Sequence, residues 1–482
     1  MTGGVATETV FDVVIIGGGI AGLAAAFELR GRGLSVRVLE RAARPGGVIV
    51  TEQFDGWTID SGPDSLLVQK PAAVTLCREL GIADRLVPTL MPRTAFVLRE
   101  GQLHAIAEGS FLGFPITFGA LARSRLFSLA GKARMAGEVL TPRRTSDEDE
   151  SIAAFVGRRF GREAVDYLAD PLLAGIHAGD VERLSIGALF PRLVDAERRS
   201  GSVIRALRAL HVRPSPQGAF VSLPGGTGEL ADTLARALAP GTVITDARVT
   251  GLSRSATYAI DSTAGRVRAR SIVLAVPAYV TGSLLRPIDS ALADLCEAVP
   301  YASTATVAFG YRRDQVSHPL RGTGFVVPRT EGLALLAGTW VSSKWPGRAP
   351  NGHVLLRGYL GGGRDPHRLE AADQELLDAA QKELAELLGI SGAPLFTRLY
   401  RWTRQSPQYE VGHLQRVADI ERLLTALPGL FVTGSGFRAI GIPDCISDGR
   451  ATAIRAADYV ASHRTDPLTP NSQLPTLNRH VP

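Results

Sequence analysis

The sequence predicts an α/β protein built on a discontinuous Rossmann-type domain, with a mixed α+β domain and a helical domain inserted into it. Three observations carry that prediction. A glycine-punctuated strand–turn–helix unit opens the chain, apolar strand-like runs far downstream end in turn formers, and helical and mixed stretches fill the intervals. At 482 residues the chain is also too long for a single hydrophobic core.

The first unit spans about residues 10 to 65. Val13-Val14-Ile15-Ile16 is an apolar, β-branched run of the kind that forms a buried parallel strand. Gly17 makes the tight turn, Gly19 lets the backbone approach a pyrophosphate, and Gly22 lets the following helix pack close on the strand. Ile20 and Ala21 then sit at a helix N-terminus whose free N–H groups face the phosphates. Val36 and Val38 alternate into a second strand, and Glu40 follows at its end, where a carboxylate meets ribose hydroxyls and disfavours a 2′-phosphate. Arg41 adjoins it. Arg44-Pro45-Gly46-Gly47 resembles the segment after the ribose-binding Glu in glutathione-reductase-like flavoproteins, which implies FAD as the dinucleotide.

Further strands return to the same sheet. Ser271 to Val276, with Ala275 near its end, and Gly429 to Gly434 both lead into turns, as strands bordering a cofactor crevice do. Val249 belongs to the same second portion. The last portion closes with Gly441-Ile442-Pro443-Asp444 opening a helix to about Ser462. The FAD-binding domain is thus expected in residues 1–70, 216–299 and 406–463. Residues 71–215 read as a largely helical insertion, from Arg123 to Leu140, Ser151 to Leu173 and Ala188 to Leu210. Residues 300–405 read as the substrate domain, with strands at Thr304 to Tyr311 and His353 to Leu360 and a helix at Glu370 to Leu388. The tail 464–482, rich in Pro, Ser and Thr, reads as disordered.

Composition narrows the function. The net charge of +6 is spread along the chain and does not argue for nucleic acid. Cys77, Cys296 and Cys445 make no CxxC pair, which fits a reducing, cytoplasmic setting and predicts no metal site. No stretch suits a secretory signal or a membrane span. Gly109 to Ala122 is apolar and followed by Arg123, Arg125, Lys132 and Arg134, so it reads either as a domain element or as a basic surface for weak contact with the inner face of the membrane.

Several segments resemble the protoporphyrinogen and coproporphyrinogen III oxidases of haem synthesis. They are Ser151 to Gly161, Pro171 to Asp180, Leu223-Pro224-Gly225-Gly226, Ser342 to Pro346, Pro407 to His413 and Gly441 to Ile446, and the likeness extends over residues 10 to 460. His177 stands where that family usually has Tyr or Phe, and Phe437-Arg438-Ala439 replaces a more usual Tyr-x-Gly.

The resemblance implies that FAD takes hydride from a porphyrinogen and passes the electrons to O2, with no protein acid or base required. It assigns Gly62, Pro63, Asp64, Ser65, Trp402, Gly434, Gly441, Ile442 and Pro443 to the flavin, and Gly175 to the macrocycle. The absence of a GxSxG elbow or an HExxH helix agrees with cofactor chemistry. The substrate is a flat apolar ring fringed by carboxylates, so its pocket calls for apolar walls and a few cations. Lys70, Lys344 and Arg99 are the candidate cations, His177 a candidate carboxylate contact, and Phe325 to Val327 and Gly338 to Trp340 candidate walls. Coproporphyrinogen III is favoured over protoporphyrinogen IX because no membrane element is visible. Amine oxidase or carotenoid desaturase activity, and a non-catalytic porphyrin-binding flavoprotein, remain open, as do oligomeric state and contacts with other haem-pathway enzymes.

Overall fold

The computed structural model describes residues 9–107, 110–111, 113–115, 117–175, 177–209 and 218–463. The tail expected to be disordered lies outside the described residues, as do Gly109, Leu112, Ile116 and Leu210.

Val10–Ile16 pairs in parallel with Val36–Leu39 on one side and with Gly265–Leu274 on the other, and Val243–Ile244 extends the sheet beyond Val36–Leu39. Gly265–Leu274 is long enough to serve two further partners. Its last residues pair in parallel with Leu430–Val432, its first ones antiparallel with Tyr258–Ser262. Val13 and Ile15 enter the core under the helices Ile20–Leu29 and Ile442–Ser462, while Val14 and Ile16 enter the core on the opposite face. Both faces are covered, which is why the strand reads as a continuous apolar run. A Cβ at Gly449 would lie 2.2 Å from the Ala21 carbonyl oxygen, so glycine there lets the two helices meet at backbone distance.

A second seven-stranded sheet has the order Phe396–Pro407, Tyr301–Arg312, His353–Gly361, Leu335–Trp340, Gly324–Val326, Ala95–Arg99, Gln102–Ala105. Its last two strands come from the insertion read as largely helical, which therefore starts with sheet and turns helical only afterwards. The helix Asp373–Leu388 buries Leu376, Ala380, Leu384 and Leu388 in this sheet's core. Phe325, Val327 and Trp340 belong to the same core, 2%, 0% and 0% exposed, with Trp340 packed on Phe96 and His318. They are packing residues and not pocket walls. A strand run with both faces covered offers no sequence mark of the face that meets a ligand.

The helical part is more broken than its sequence pattern. The run from Arg123 resolves into Phe118–Arg123, Leu129–Ala136 and a 3-10 turn Gly137–Leu140. Ile152–Phe160 stops at Gly161, φ +94°, and Pro191–Ser200 stops at Gly201, φ +65°; both are backbone conformations that favour glycine. Val165–Ala174 is a π-helix containing Pro171, whose missing N–H a wider turn accommodates. At the centre, fully buried Arg159 pairs with Glu138 and Glu197 and donates to the carbonyls of Thr141 and Gly201, tying these short helices together.

Candidate active site

The turn after Val10–Ile16 is built from backbone. Gly17 donates its N–H to Leu39 O at 2.9 Å and adopts φ +105°; a Cβ there would lie 2.4 Å from Ala275 O. Ala275 in turn donates to Ile16 O at 2.8 Å, so the two strand ends close one wall of the crevice. A Cβ at Gly22 would sit 2.0 Å from Gly17 O, whereas the space in front of Gly19 is open to 4 Å. Close packing behind the turn and open space before it form a cradle that a dinucleotide pyrophosphate fits.

Glu40 is buried beside this turn. Its two carboxylate oxygens accept the N–H groups of Gly18, at 2.6 Å, and Ala42, at 2.8 Å. The carboxylate is thereby fixed at the crevice edge, with lone pairs left for ribose hydroxyls. Glu40 N–H donates to Ile244 O and its carbonyl accepts from Ala247, which puts Val249 two residues beyond this edge. Arg44 does not extend over the crevice: Nη2 donates to Gly47 O at 2.8 Å and Nη1 to Pro45 O at 3.0 Å, so it braces its own loop. Gly46 donates to Gly18 O, and a Cβ at Gly47 would touch Gly19 Cα at 3.3 Å. Arg41 is exposed next to Glu40.

The C-terminal helix enters the site through Gly441, Ile442 and Pro443, with Pro in the first turn, where its missing N–H costs nothing. Asp444 accepts the Gly441 N–H and pairs with Lys70 Nζ at 2.6 Å. One turn further, Asp448 binds the Thr433 hydroxyl, the Gly434 N–H and Arg438 Nε. Asp448 thus fixes the Gly434 turn, φ +98°, against this helix, a role the sequence reading missed. Ala439, in place of the usual glycine, has no positive φ and fits without strain.

Gly62 to Ser65 line the junction between the two sheets. A Cβ at Gly62 would fall 2.1 Å from Val48 O, and the Trp402 indole donates to Ser61 O at 2.9 Å. Pro63 O accepts the Thr227 hydroxyl, which also binds Asp60. Burial alone would raise the Asp64 carboxyl, but Lys344 and Arg357 outweigh it and hold it well below the usual carboxylate range. Lys344 Nζ lies 2.9 Å from both Asp64 oxygens and 3.0 Å from Ser65 Oγ. Lys344 is therefore committed to this loop and is not a free propionate anchor.

On the substrate side, Gly175 caps the π-helix, is exposed, and among the described residues apart from its chain neighbours has only Asp170 O within 4 Å of where a Cβ would be. Asp170 is held by Arg364 Nη1 at 3.1 Å and by the Arg329 N–H at 2.8 Å, which pins this helix end to the second sheet. His177 comes close enough to Lys70 and Asp444 to feel both, so it lies by the start of the C-terminal helix. Burial, aided by repulsion from Lys70, pushes the imidazole pKa down to about 4. A ring held neutral offers a carboxylate an N–H donor and not a counter-charge. Its carbonyl is bound by Ser406 and Gln408. Arg99 lies elsewhere: it donates to Leu126 O and covers the Tyr167 ring, joining the second sheet to the helical part. Tyr409 stacks on His413 and donates its hydroxyl to Ser435 O.

Comparison with known proteins agrees with this geometry. Residues 20–457 match the family described as flavin containing amine oxidoreductase. Coproporphyrinogen III oxidase of Bacillus subtilis (strain 168) is 35% identical over 466 residues, covering 93% of this chain and 98% of that protein. The chloroplastic protoporphyrinogen oxidase of Nicotiana tabacum is 29% identical, covering 96% and 88%. A solved structure from Exiguobacterium sp. 255-15 superposes with a TM-score of 0.84 at 30% identity, covering 93% of this chain and 99% of its own.

Proposed function

The chain belongs to the flavin containing amine oxidoreductase family, and on that premise we propose that it oxidises coproporphyrinogen III to coproporphyrin III with FAD and O2. The observation that carries this reading is the 35% identity to the Bacillus subtilis enzyme over nearly the full length of both chains. Six hydrogens leave the macrocycle and three O2 become three H2O2, so atoms and electrons balance. Bound FAD supplies the hydride acceptor and the route to oxygen.

The chain's own residues bind, orient and shield. Gly17, Gly19, Gly22, Gly46 and Gly47 admit the pyrophosphate, and Glu40 selects a ribose with a free 2′-OH. Ile20, Ala21, Gly434, Ala275 and Val249 border the dinucleotide, and Gly441 to Pro443 direct a helix N-terminus at the ring, where a positive dipole favours negative charge. Gly175 leaves room for the flat macrocycle to reach the backbone. Lys70 remains the cation best placed to meet a propionate, because its side chain is 49% exposed between His177 and the first turn of the C-terminal helix.

We assign the protein to the cytoplasm. Among the described residues no helix is long and apolar enough to cross a membrane. Exposed Phe118 and Leu129, beside Arg123 and Lys132, support weak contact with an anionic lipid surface. The deciding experiment is turnover of coproporphyrinogen III and protoporphyrinogen IX side by side, read by porphyrin fluorescence with O2 uptake. Faster oxidation of coproporphyrinogen III is expected. A strong preference for protoporphyrinogen IX would move the assignment to the activity named for the tobacco relative, and no turnover of either would leave a porphyrin-binding flavoprotein.

A further inference from the structure

Arg357 stands on His353–Gly361 opposite Ala308, with a side chain 1% exposed. Nη2 donates to Gly62 O at 2.8 Å and Nη1 lies 3.5 Å from Asp64 Oδ2, while Nε and Nη1 have no hydrogen-bond partner among the described residues. The charges around it do not cancel. Asp60 and Arg348 form one fully buried pair, and Asp64 faces both Lys344 and Arg357, so three cations meet two carboxylates. Glu52 and Arg398 add one charge of each sign. Arg348 also has unpartnered N–H groups, but Asp60 matches its charge. One buried positive charge is left over, an unfavourable arrangement unless an anion completes it.

The position of this charge indicates which anion. Arg357 holds Gly62, a Cβ at Gly62 would strike Val48 O, and a Cβ at Gly47 would touch Gly19 Cα. A continuous run of backbone contacts therefore links the guanidinium to the pyrophosphate turn. Its burial places it behind the Gly62 to Ser65 loop and out of reach of bulk water.

Building on the FAD reading above, we propose that Arg357 is the counter-charge for the flavin ring, balancing the negative charge the ring gains on reduction. In a low-dielectric junction such a fixed charge favours the reduced form and so raises the cofactor's readiness to accept electrons from a porphyrinogen.

The test is a reductive titration of FAD-loaded protein against reference dyes. Arg357→Met should lower the midpoint potential by at least the tenfold change in the redox equilibrium that equals about 30 mV for a two-electron couple. Asp64→Asn, which leaves a second positive charge unmatched, should raise it, and Arg357→Lys should stay near the wild type. Sulfite affinity of the oxidised flavin should fall and rise in parallel. The opposite signs separate an electrostatic role from general damage. An unchanged potential in FAD-loaded Arg357→Met, or shifts of the same sign in both variants, overturns the proposal. A raised KM for porphyrinogen at unchanged potential assigns the charge to the substrate instead. If Arg357→Met does not fold, the Asp64→Asn and Arg357→Lys outcomes decide. Wild-type protein that never holds FAD would reject the flavin reading itself.

Discussion

Lys344 grips Asp64 with its ammonium 2.9 Å from each carboxylate oxygen, in a pair whose side chains are 14% and 10% exposed. Asp64 lies in the loop after Trp57–Asp60 and Lys344 ends the short helix Val341–Lys344 that follows the strand Leu335–Trp340, so the pair fastens the Gly62 to Ser65 loop to the second sheet. Removing Lys344 strips Asp64 of its two short ammonium contacts and leaves Arg357, 3.5 Å away, as its remaining buried counter-charge. Lys344→Met is expected to destabilise the holoprotein by about 3 kcal/mol, the low end for a buried pair, because Arg357 still faces Asp64. The folded Asp64 carboxyl is depressed, so its stabilisation is complete above the ordinary carboxylate range, about pH 4, and is lost as pH falls below it. The variant should lose less stability on acidification than the wild type. Urea unfolding between pH 7 and pH 3 measures both effects, and a loss below about 1 kcal/mol would class the pair with exposed ones.

Gly175→Leu should abolish porphyrinogen turnover while FAD content stays stoichiometric. Overpacking costs about 1–3 kcal/mol in a filled core, but among the described residues apart from its chain neighbours the new Cβ has only Asp170 O within 4 Å, at 3.8 Å, and φ is −58°. The melting temperature should therefore stay near the wild-type value. Unchanged kcat/KM would remove Gly175 from the substrate site.

His177 has a folded pKa of about 4, below the ordinary imidazole value, because burial and Lys70 disfavour its charged form. The unfolded chain therefore takes up the proton first. Stability is complete above the ordinary value near 6.5 and declines as pH falls toward 4. His177→Phe should reduce the drop in melting temperature between pH 7 and pH 5. It should not remove it, since buried His413 is lowered to about 4 as well. Identical pH profiles would show that His177 does not titrate in this range.

What could be read from the sequence follows contact range. Gly17, Gly19, Gly22 and Glu40 act within a single βαβ unit, so their spacing announces their geometry. Asp448 on Gly434 and Arg357 on Gly62 act across 14 and 295 residues, and no local pattern marks the pairing. Gly161 and Gly201 did carry a signal, since both break helices at positive φ. Lys344 and Arg99 look like free cations in the sequence because a sequence shows a charge but not its partner. Phe325 and Trp340 pass for pocket walls in the sequence because an apolar strand residue looks the same whether it meets a ligand or the core.

Glu40→Ala should weaken FAD retention by roughly 1.5–3 kcal/mol, the worth of a charged hydrogen bond. Here the loss has two sources, since the carboxylate also organises the N–H groups of Gly18 and Ala42. Equilibrium dialysis of FAD against the apoprotein gives the shift directly. Glu40→Gln keeps an acceptor for part of this set and should fall between wild type and Ala. Affinity for FAD equal to wild type in the Ala variant would take Glu40 out of the ribose site.

Lys70 carries the choice of substrate. Its pairing with Asp444 is tight at 2.6 Å but partly exposed, 49% and 29%, so a propionate can compete for the ammonium without uncovering a buried charge. A porphyrinogen with four propionates places more anions around the ring than one with two, and so has more to gain from that cation. Lys70→Met, which keeps the aliphatic stem, should raise KM for coproporphyrinogen III more than for protoporphyrinogen IX and leave FAD content unchanged. Because the ammonium is half exposed, the difference should shrink as ionic strength rises. Steady-state kinetics of both substrates at low and high salt tests this. Equal effects on the two would mean that Lys70 meets a propionate common to both. No effect on either would leave Lys70 as a partner of Asp444 alone, holding the first turn of the C-terminal helix in place.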